Sequence, residues 1–397
     1  MERVLDGVRI LDIARWFAGP YAATLLAQQG AEVIRVERPE GEVERTFGPF
    51  APNGESMLTK VTLQNRKGIT LEPTTEKGRE ILYDLVRKSD VVLHSYVMGS
   101  EEFELLSYES LKKVNPQIIV AAVSGFGSTG PYANRPCFDT IAQAMSGAMS
   151  YTGFPDGPPV RAGFAWVDYS TGVHVALGIM FALYRRMATG KGGQAVEVTL
   201  LDVAIGCVAG LAVAAEYTVG GFVRGRQGNH SYYCITDCYQ AKDGYVMIGV
   251  TGNPIWRRFA RAIGKEEWRK DPRFEDDWKR FQNRAIVQPV AQQWVRERTV
   301  DEVIRHMEEH RVPCSPVYDV SQMVEDPHVK AMNTLVYMDY PHIGPVPMPG
   351  VPIRMSETPG SIDKRAPEPG EHNEEVYGAL LGLKPDDLAR LKEDGVI

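Results

Sequence analysis

The sequence predicts an α/β protein: a large domain built on a doubly wound, Rossmann-like parallel sheet, joined to a smaller α+β domain. Three observations predict it. Over the first half, strand-like apolar runs alternate with helix-like segments. Beyond about residue 217 that alternation gives way to a Gly/Arg-rich connector, a hairpin signal and a run of helices. The chain has 397 residues, 44% of them apolar and 24% charged, enough for two or three domains.

Taken in order, Val8–Ala14 reads as a buried strand, Pro20–Gln29 as a helix opened by Gly19-Pro20, and Ala31–Glu37 as the next strand. This is a βαβ unit. The pattern repeats with a helix over Thr75–Lys88, a strand over Val91–Tyr96, a short helix over Glu104–Val114 and a strand over Ile118–Ser124. Helices at Asp139 and Asp168 and a strand over Ala195–Leu200 come after these. A parallel sheet of this kind binds ligands outside the C-terminal ends of its strands. Next come the connector Gly220–Asn229, strands Tyr232–Gln240 and Tyr245–Val250 joined by Lys242-Asp243-Gly244, and helices near Pro254–Ile263, Gln282–Arg296 and Val300–Glu309. Beyond Asp326 the chain is short-stranded and rich in proline, and it ends in a helix pair. The domains expected are 1–217, 230–325 and a C-terminal segment, 335–397, that returns to the first.

A net charge of −7 argues against nucleic acid or an anionic membrane as partner. The N-terminus shows no signal-peptide core. The longest uncharged apolar stretch, Val203–Ala215, is too short to span a bilayer and reads as a core or interface helix. Five cysteines, at 137, 207, 234, 238 and 314, form no even framework, so reduced thiols and a cytoplasmic location are expected. His230-x3-Cys234-x3-Cys238 is a loose spacing for zinc without an evident fourth ligand, and no metal site is assigned.

Asp168 is the candidate nucleophile. The stretch Arg161–Gly172 leads into Val173, Leu177, Met180, Phe181 and Tyr184 at helical spacing, with Arg185 and Arg186 in the last turn and Gly190 beyond. A helix is thus expected to begin just after Asp168. Its dipole would favour the ionised carboxylate by roughly 0.3–1 kcal/mol where exposed, and an ionised carboxylate is what a nucleophile requires. The bland alternative is a helix cap alone. Gly125-Phe-Gly127-Ser-Thr-Gly130 matches G-x-G-x-x-G after a strand, but Pro131 and Pro136 interrupt the next stretch, so the glycines form a loop beside a ligand rather than a dinucleotide fingerprint.

Several short motifs occur together: Leu5-Asp-Gly-Val-Arg-Ile-Leu-Asp12, Ala18-Gly-Pro20, Gly30-Ala-Glu-Val-Ile-Arg-Val-Glu-Arg38, Ala142-Gln143 with Ser146-Gly147, Thr152-Gly153 with Asp156-Gly-Pro-Pro159, Asp168 with Thr171-Gly172, and Gly370-Glu-His372. In this order the chain resembles the class III CoA-transferases, the family of formyl-CoA and crotonobetaine/carnitine CoA-transferases. The resemblance implies transfer of CoA between an acyl-CoA and a free carboxylic acid through anhydride and aspartyl-CoA thioester intermediates on Asp168. Acyl-CoA is then a substrate and no tightly bound cofactor is expected. CoA-contacting positions carried over are Phe17 and Ala18, Arg38 near the adenosine phosphate, Leu71, Ser95, Tyr96, and Arg135, Phe138 and Asp139. The resemblance also implies an interlocked dimer, a homodimer or one built with a homologous subunit, whose connectors are Gly220–Asn229 and the stretch carrying Pro341, Pro345, Pro347 and Pro349.

The chain departs from the family where Ser95-Tyr-Val-Met-Gly99 and Glu101-Glu102-Phe103 replace a loop with basic CoA contacts, so either other basic residues such as Lys60, Arg66, Lys67 or Arg135 supply the charge or CoA is held less tightly. Arg224-Gly-Arg-Gln-Gly228 stands roughly where formyl-CoA enzymes carry a glycine run, which points away from formate/oxalate exchange. An α-methylacyl-CoA racemase is the alternative within the family, but Phe138 stands where racemases carry a histidine. A catalytically silent partner subunit is the alternative from another class. Substrate choice is expected from the loops of the smaller domain and from Phe164, Trp166 and Tyr169, with Arg161, Arg224 and Arg226 as candidates to hold a second carboxylate of a dicarboxylic donor such as succinyl-CoA.

Overall fold

The computed structural model describes residues 2–397, which form two compact units. The first comprises the chain up to Ala148, Arg161–Gly221 and His328–Ile397; the second comprises Met149–Val160 and Phe222–Pro327. The second unit thus includes a segment from within the expected 1–217 range.

The first unit is built on a six-stranded parallel sheet in the order β3-β2-β1-β4-β5-β6. Its strands are β1 (Arg9–Ile13), β2 (Glu32–Glu37), β3 (Arg66–Thr70), β4 (Val91–His94), β5 (Ile119–Ser124) and β6 (Ala195–Thr199). Strands buried on both faces read as continuous apolar runs. Val91, Val92 and Leu93 are fully buried and supply side chains to two cores, one on each side of the sheet. β3 escaped the sequence reading because Arg66-Lys-Gly68 is polar and contains glycine. It is one of the two edge strands, where such residues are tolerated. The C-terminal tail covers it: His372 N–H donates to Gly68 O, Asn373 Oδ1 accepts from Thr70 N–H, and Tyr377 O–H donates to Thr70 O at 2.6 Å.

The sheet also holds buried charge. Asp12 on β1 is fully buried between Arg66 (3.0 Å) and Arg35 (3.4 Å). Removing one partner of such a cluster costs about 3–5 kcal/mol, because it strands the other.

The helix Trp166–Thr189 closes at Gly190, which adopts the left-handed conformation (φ 64°). It packs through small residues. A side chain at Gly172 would lie 2.7 Å from Ala18 O and 2.9 Å from the Tyr21 ring, so glycine permits the close approach of helix Ala18–Gln28. Thr171, Val175, Ile179 and Ala182 complete this inward face. Val173, Leu177, Phe181 and Tyr184, the apolar positions that marked the helix in the sequence, point outward and are 47–72% exposed. By length and composition this helix could cross a membrane, but half of its apolar stretch is buried in the protein. The apolar stretch Val203–Ala215 is divided between helices Leu200–Ala209 and Val213–Gly220, bent by 67° at a break where Ala212 has φ 60°.

In the second unit β7 (Ile235–Gln240), β8 (Tyr245–Val250) and β9 (Cys314–Pro316) form an antiparallel sheet. β9 is a three-residue strand that the sequence does not signal. Helices Asn253–Ala262, Arg284–Arg296 and Val300–Glu309 bury Trp256, Phe259, Val287, Val295, Val303 and Met307.

Back in the first unit, the proline-rich segment forms a hairpin, β10 (Leu335–Tyr340) with β11 (Gly344–Pro349), within the short-stranded stretch expected beyond Asp326. Pro345, Pro347 and Pro349 alternate with Val346 and Met348, which are buried against Tyr340 and Leu63.

Candidate active site

A cavity of about 150 Å³ lies at the carboxyl edge of the sheet. Its walls come from the segments after β1 (Arg15, Trp16, Ala18) and β4 (Ser95, Val97), the end of β5 (Ser124, Gly125), Ala133–Phe138, Asp168 and Leu200. β1 and β4 are where the strand order reverses, the position at which open α/β sheets form ligand crevices. The glycine-rich loop after β5 forms part of this wall. A Cβ on Gly125 would sit 2.1 Å from Cys137 Cβ, so the loop closes on glycine, and no helix comes directly after it.

Asp168 lies inside its helix rather than before it. The helix begins at Trp166, Ala165 occupies the cap position, and no cap side chain bonds there. Asp139, at the start of helix Asp139–Met145, performs that task from elsewhere in the chain. Its Oδ2 accepts the backbone N–H of Val167 at 2.8 Å and of Asp168 at 3.3 Å, while Oδ1 accepts from Gln143 Nε2.

This arrangement reverses the electrostatic expectation. Burial first and the Asp139 charge second push the Asp168 carboxyl up to about 7, from an ordinary 3.8. Desolvation of a group only 8% exposed outweighs the attraction of a helix end, whose N–H donors Asp139 already uses. At neutral pH the carboxyl is therefore only partly ionised, and its anion is poorly solvated and more basic than an ordinary aspartate.

The carried-over positions fall into separate groups. Ala18, Ser95, Arg135 and Phe138 line the Asp168 cavity. Ser95 Oγ accepts the Arg15 N–H at 2.8 Å, and Arg135 lies over the Tyr132 ring at 4.1 Å. Phe17 occupies the cap position of helix Ala18–Gln28, with its ring 6.4 Å from that of Tyr169. Asp139 is 6% exposed and turned to the helix end, so its side chain supports Asp168. Tyr96 stacks on the buried His94, and burial pushes its hydroxyl up to about 12. Leu71 is 1% exposed in the core, leaving no side-chain surface for a ligand. Arg38, just after β2, is outside the cavity wall and pairs with Glu102 at 3.3 Å.

Of the cations offered as replacements, only Arg135 lines the cavity. Lys60 pairs with Glu55 and Glu368, Arg66 with Asp12, and Lys67 with Glu32 and Glu375. In the second unit, Arg226 donates to the carbonyls of Phe154 and Gly157, and Arg224 is buried against the Tyr232 and Tyr233 rings.

Two wall residues escape a reading of the sequence. Arg15 pairs with Glu42 at 2.9 Å beside the cavity. Trp16 has φ 67°, a left-handed backbone that a bulky residue avoids, and its ring packs edge-on to Phe47 and Phe138. Their place directly after β1 is the available signal. A larger cavity, about 590 Å³, is lined by Tyr21, Tyr169 and Arg354. It begins one residue along from Asp168, whereas Phe164 is 68% exposed and Trp166 packs on the core.

A family model described as CoA-transferase family III matches residues 5–373. The chain is 35% identical over 398 residues to a succinyl-CoA–D-citramalate CoA-transferase of Chloroflexus aurantiacus, covering all of this chain and 98% of that protein. It is 33% identical over 412 residues to a formyl-CoA:oxalate CoA-transferase of Streptomyces coelicolor, covering 100% and 99%. A third relative, 33% identical over 399 residues and covering 99% and 98%, is named as the beta subunit of a succinyl-CoA–L-malate CoA-transferase, also from C. aurantiacus, so single-chain and two-subunit enzymes both occur among the relatives. The fold is similar to the crystal structure of a CaiB/BaiF family protein from Brucella suis, with TM-score 0.83 and 32% identity over 96% of this chain and 100% of that one.

Proposed function

The chain belongs to CoA-transferase family III and is a CoA-transferase whose substrates are CoA thioesters; from that premise we propose that Asp168 carries the transfer covalently. The Asp168 carboxylate attacks the thioester carbonyl, the C–S bond breaks, and a mixed anhydride and CoA thiolate result. The thiolate attacks the aspartyl carbonyl of the anhydride, releases the donor acid and leaves an aspartyl-CoA thioester. The acceptor carboxylate attacks this thioester, forming a second anhydride and free thiolate. The thiolate then takes the acceptor's acyl group and restores Asp168.

The observation that carries this reading is the setting of Asp168, a nearly buried carboxylate facing the switch-point cavity with its basicity raised. A poorly solvated, more basic carboxylate is a better nucleophile, and covalent catalysis divides one difficult exchange into easier steps. Water admitted at the anhydride stage would hydrolyse it, so a cavity of this small size serves the reaction. Phe138, the position at which a racemase would need an acid or base, offers an aromatic ring packed on Trp16, which favours transfer over racemisation.

Arg38 and Arg135 are the residues proposed to hold CoA phosphates, by the bidentate geometry of guanidinium. Ala18 and Ser95 would flank the pantetheine end. Formyl-CoA is set aside because Arg224–Gly228 lacks a glycine run, and a dicarboxylic donor such as succinyl-CoA is proposed because two of the relatives are named as succinyl-CoA CoA-transferases. We further propose a cytoplasmic protein acting as an interlocked dimer. The outward apolar face of helix Trp166–Thr189, from Val173 to Met187 (81% exposed), supports a partner that covers it. The function is tested by assaying a panel of acyl-CoA donors against free acids with the parent and Asp168→Ala proteins. Transfer that survives within tenfold in the variant would remove Asp168 from the mechanism.

A further inference from the structure

The second unit contains a polar cluster that transfer at Asp168 does not use. It begins at His230, the first residue of the His230-x3-Cys234-x3-Cys238 motif. Cys234 is not its partner: Cys234 Sγ sits 3.3 Å from the hydroxyls of Ser231 and Thr236. His230 Nδ1 instead meets Asp237 Oδ2 at 2.6 Å. Asp237, on β7, is 5% exposed, and its Oδ1 accepts the Cys238 N–H at 2.8 Å. Gln288, on helix Arg284–Arg296, places Nε2 3.2 Å from Asp237 Oδ2 and 2.7 Å from His230 Nδ1.

When Nδ1–H donates to Asp237 Oδ2, the Gln288 amide donates to the same oxygen, and its 2.7 Å approach to Nδ1 is then a contact between two donors rather than a hydrogen bond. The ring is then oriented, and Nε2 is the nitrogen left for another group. His230, Asp237 and Gln288 line a cavity of about 310 Å³ with Asn229 and Tyr239, all within the second unit. Tyr239 adds an independent sign. It is 2% exposed, and its hydroxyl has no hydrogen-bond partner among the described residues. Leaving such a group unpaired costs about 1–3 kcal/mol.

We propose that this cavity binds a small carboxylate, with His230 Nε2–H and the Tyr239 hydroxyl as its donors. Both Asp237 oxygens already accept hydrogen bonds, which leaves His230 Nε2 and the Tyr239 hydroxyl to meet a ligand. With Nδ1–H held by Asp237, Nε2 can share a proton with a carboxylic acid that binds beside it. A proton shared between Nε2 and a carboxylate is a charge-assisted hydrogen bond, about twice as strong as a neutral one. A cation brings no such proton, and an uncharged amide forgoes the charge. The volume is at the small end of ligand pockets and suits a short acid rather than a nucleotide. Only the choice of an acid as ligand rests on the CoA-transfer reading; the cluster does not.

Succinate is the probe, titrated calorimetrically into full-length Asp168→Ala protein so that no covalent chemistry intervenes. Saturable binding is expected. Adding His230→Gln should weaken it by about tenfold or more, the value of one charge-assisted bond, and Tyr239→Phe by about threefold, with thermal unfolding unchanged. Succinamide, similar in shape but uncharged, should not compete. Equal affinity in the His230→Gln protein, equal binding of succinamide, or no saturable binding at all would each overturn the site. The proposed nucleophile stands or falls separately, on adduct formation at Asp168 in the parent protein.

Discussion

Asp139 Oδ2 accepts the backbone N–H of Asp168 at 3.3 Å, so one carboxylate holds the helix end from which the other projects. Replacing the first should therefore retune the second. In Asp139→Asn the amide oxygen can still accept, but the charge that helps raise Asp168 is gone. A raised carboxyl loses its proton at higher pH, so the parent's kcat/KM should fall on acidification through about pH 7. In Asp139→Asn that limb should move to lower pH, and activity at pH 6 relative to pH 8 should increase. A pH–rate profile checks this. An unchanged limb accompanied by a lower plateau would mean that Asp139 only supports the helix.

The same pair predicts a stability effect. Unfolded Asp168 loses its proton near 3.8 and folded Asp168 near 7, so between those values the native state holds the extra proton. Stability contributed by this group thus falls as pH rises through that window and stays reduced above it. The full difference is on the order of 4 kcal/mol. Asp168→Asn abolishes the effect along with activity. Its melting temperature should exceed the parent's by an amount that grows from pH 4 to pH 7.5; a constant difference would contradict the raised carboxyl.

Arg38 supplies a third prediction, because its partner Glu102 stands where the resembled family is basic. A half-exposed ion pair of this kind is worth about 0–1 kcal/mol. Glu102→Gln should free Arg38 and remove a like charge from the approach of a phosphate, tightening CoA by about two- to fivefold. Arg38→Ala should weaken it. Competitive inhibition by CoA measures both, and no change in either variant would remove Arg38 from the CoA site.

How far the sequence carries is seen at these residues. The alternation from Val8 to Leu200 is legible because most of its strands are largely apolar and are separated by helix-like segments, and five of the six strands are apparent in it. β3 is not, since an edge strand covered by the tail keeps its polar residues. Periodicity locates the Asp168 helix but not its orientation, because Thr171, Gly172, Val175 and Ile179 form the inward face while Val173, Leu177, Phe181 and Tyr184, equally helical in spacing, stay outside. Spacing places Asp168 at a helix start. It cannot show that Asp139, 29 residues earlier, caps that helix, which takes tertiary contact. Lys60, Arg66 and Lys67 look like free cations in a sequence because their acidic partners, Glu368, Asp12 and Glu375 among them, are mostly remote along the chain.

The outward face of the Asp168 helix predicts assembly. Phe181 is 64% exposed, and at such a position in a monomer a charge would change stability by about 0.5 kcal/mol or less. In an interlocked dimer, which buries more than the roughly 1,200–2,000 Å² of an ordinary complex, Phe181→Glu should abolish the folded dimer. Sedimentation at nanomolar concentration decides between them. A parent that sediments as a folded, CoA-binding monomer would rule the dimer out.

The central claim is a covalent bond between CoA and Asp168, and trapping tests it most directly. The parent protein is incubated with succinyl-CoA, quenched with hydroxylamine, and read by intact mass and peptide mapping. A hydroxamate confined to Asp168, absent from Asp168→Ala, is the predicted result. Turnover without any trapped species, or a hydroxamate on another residue, would contradict that claim.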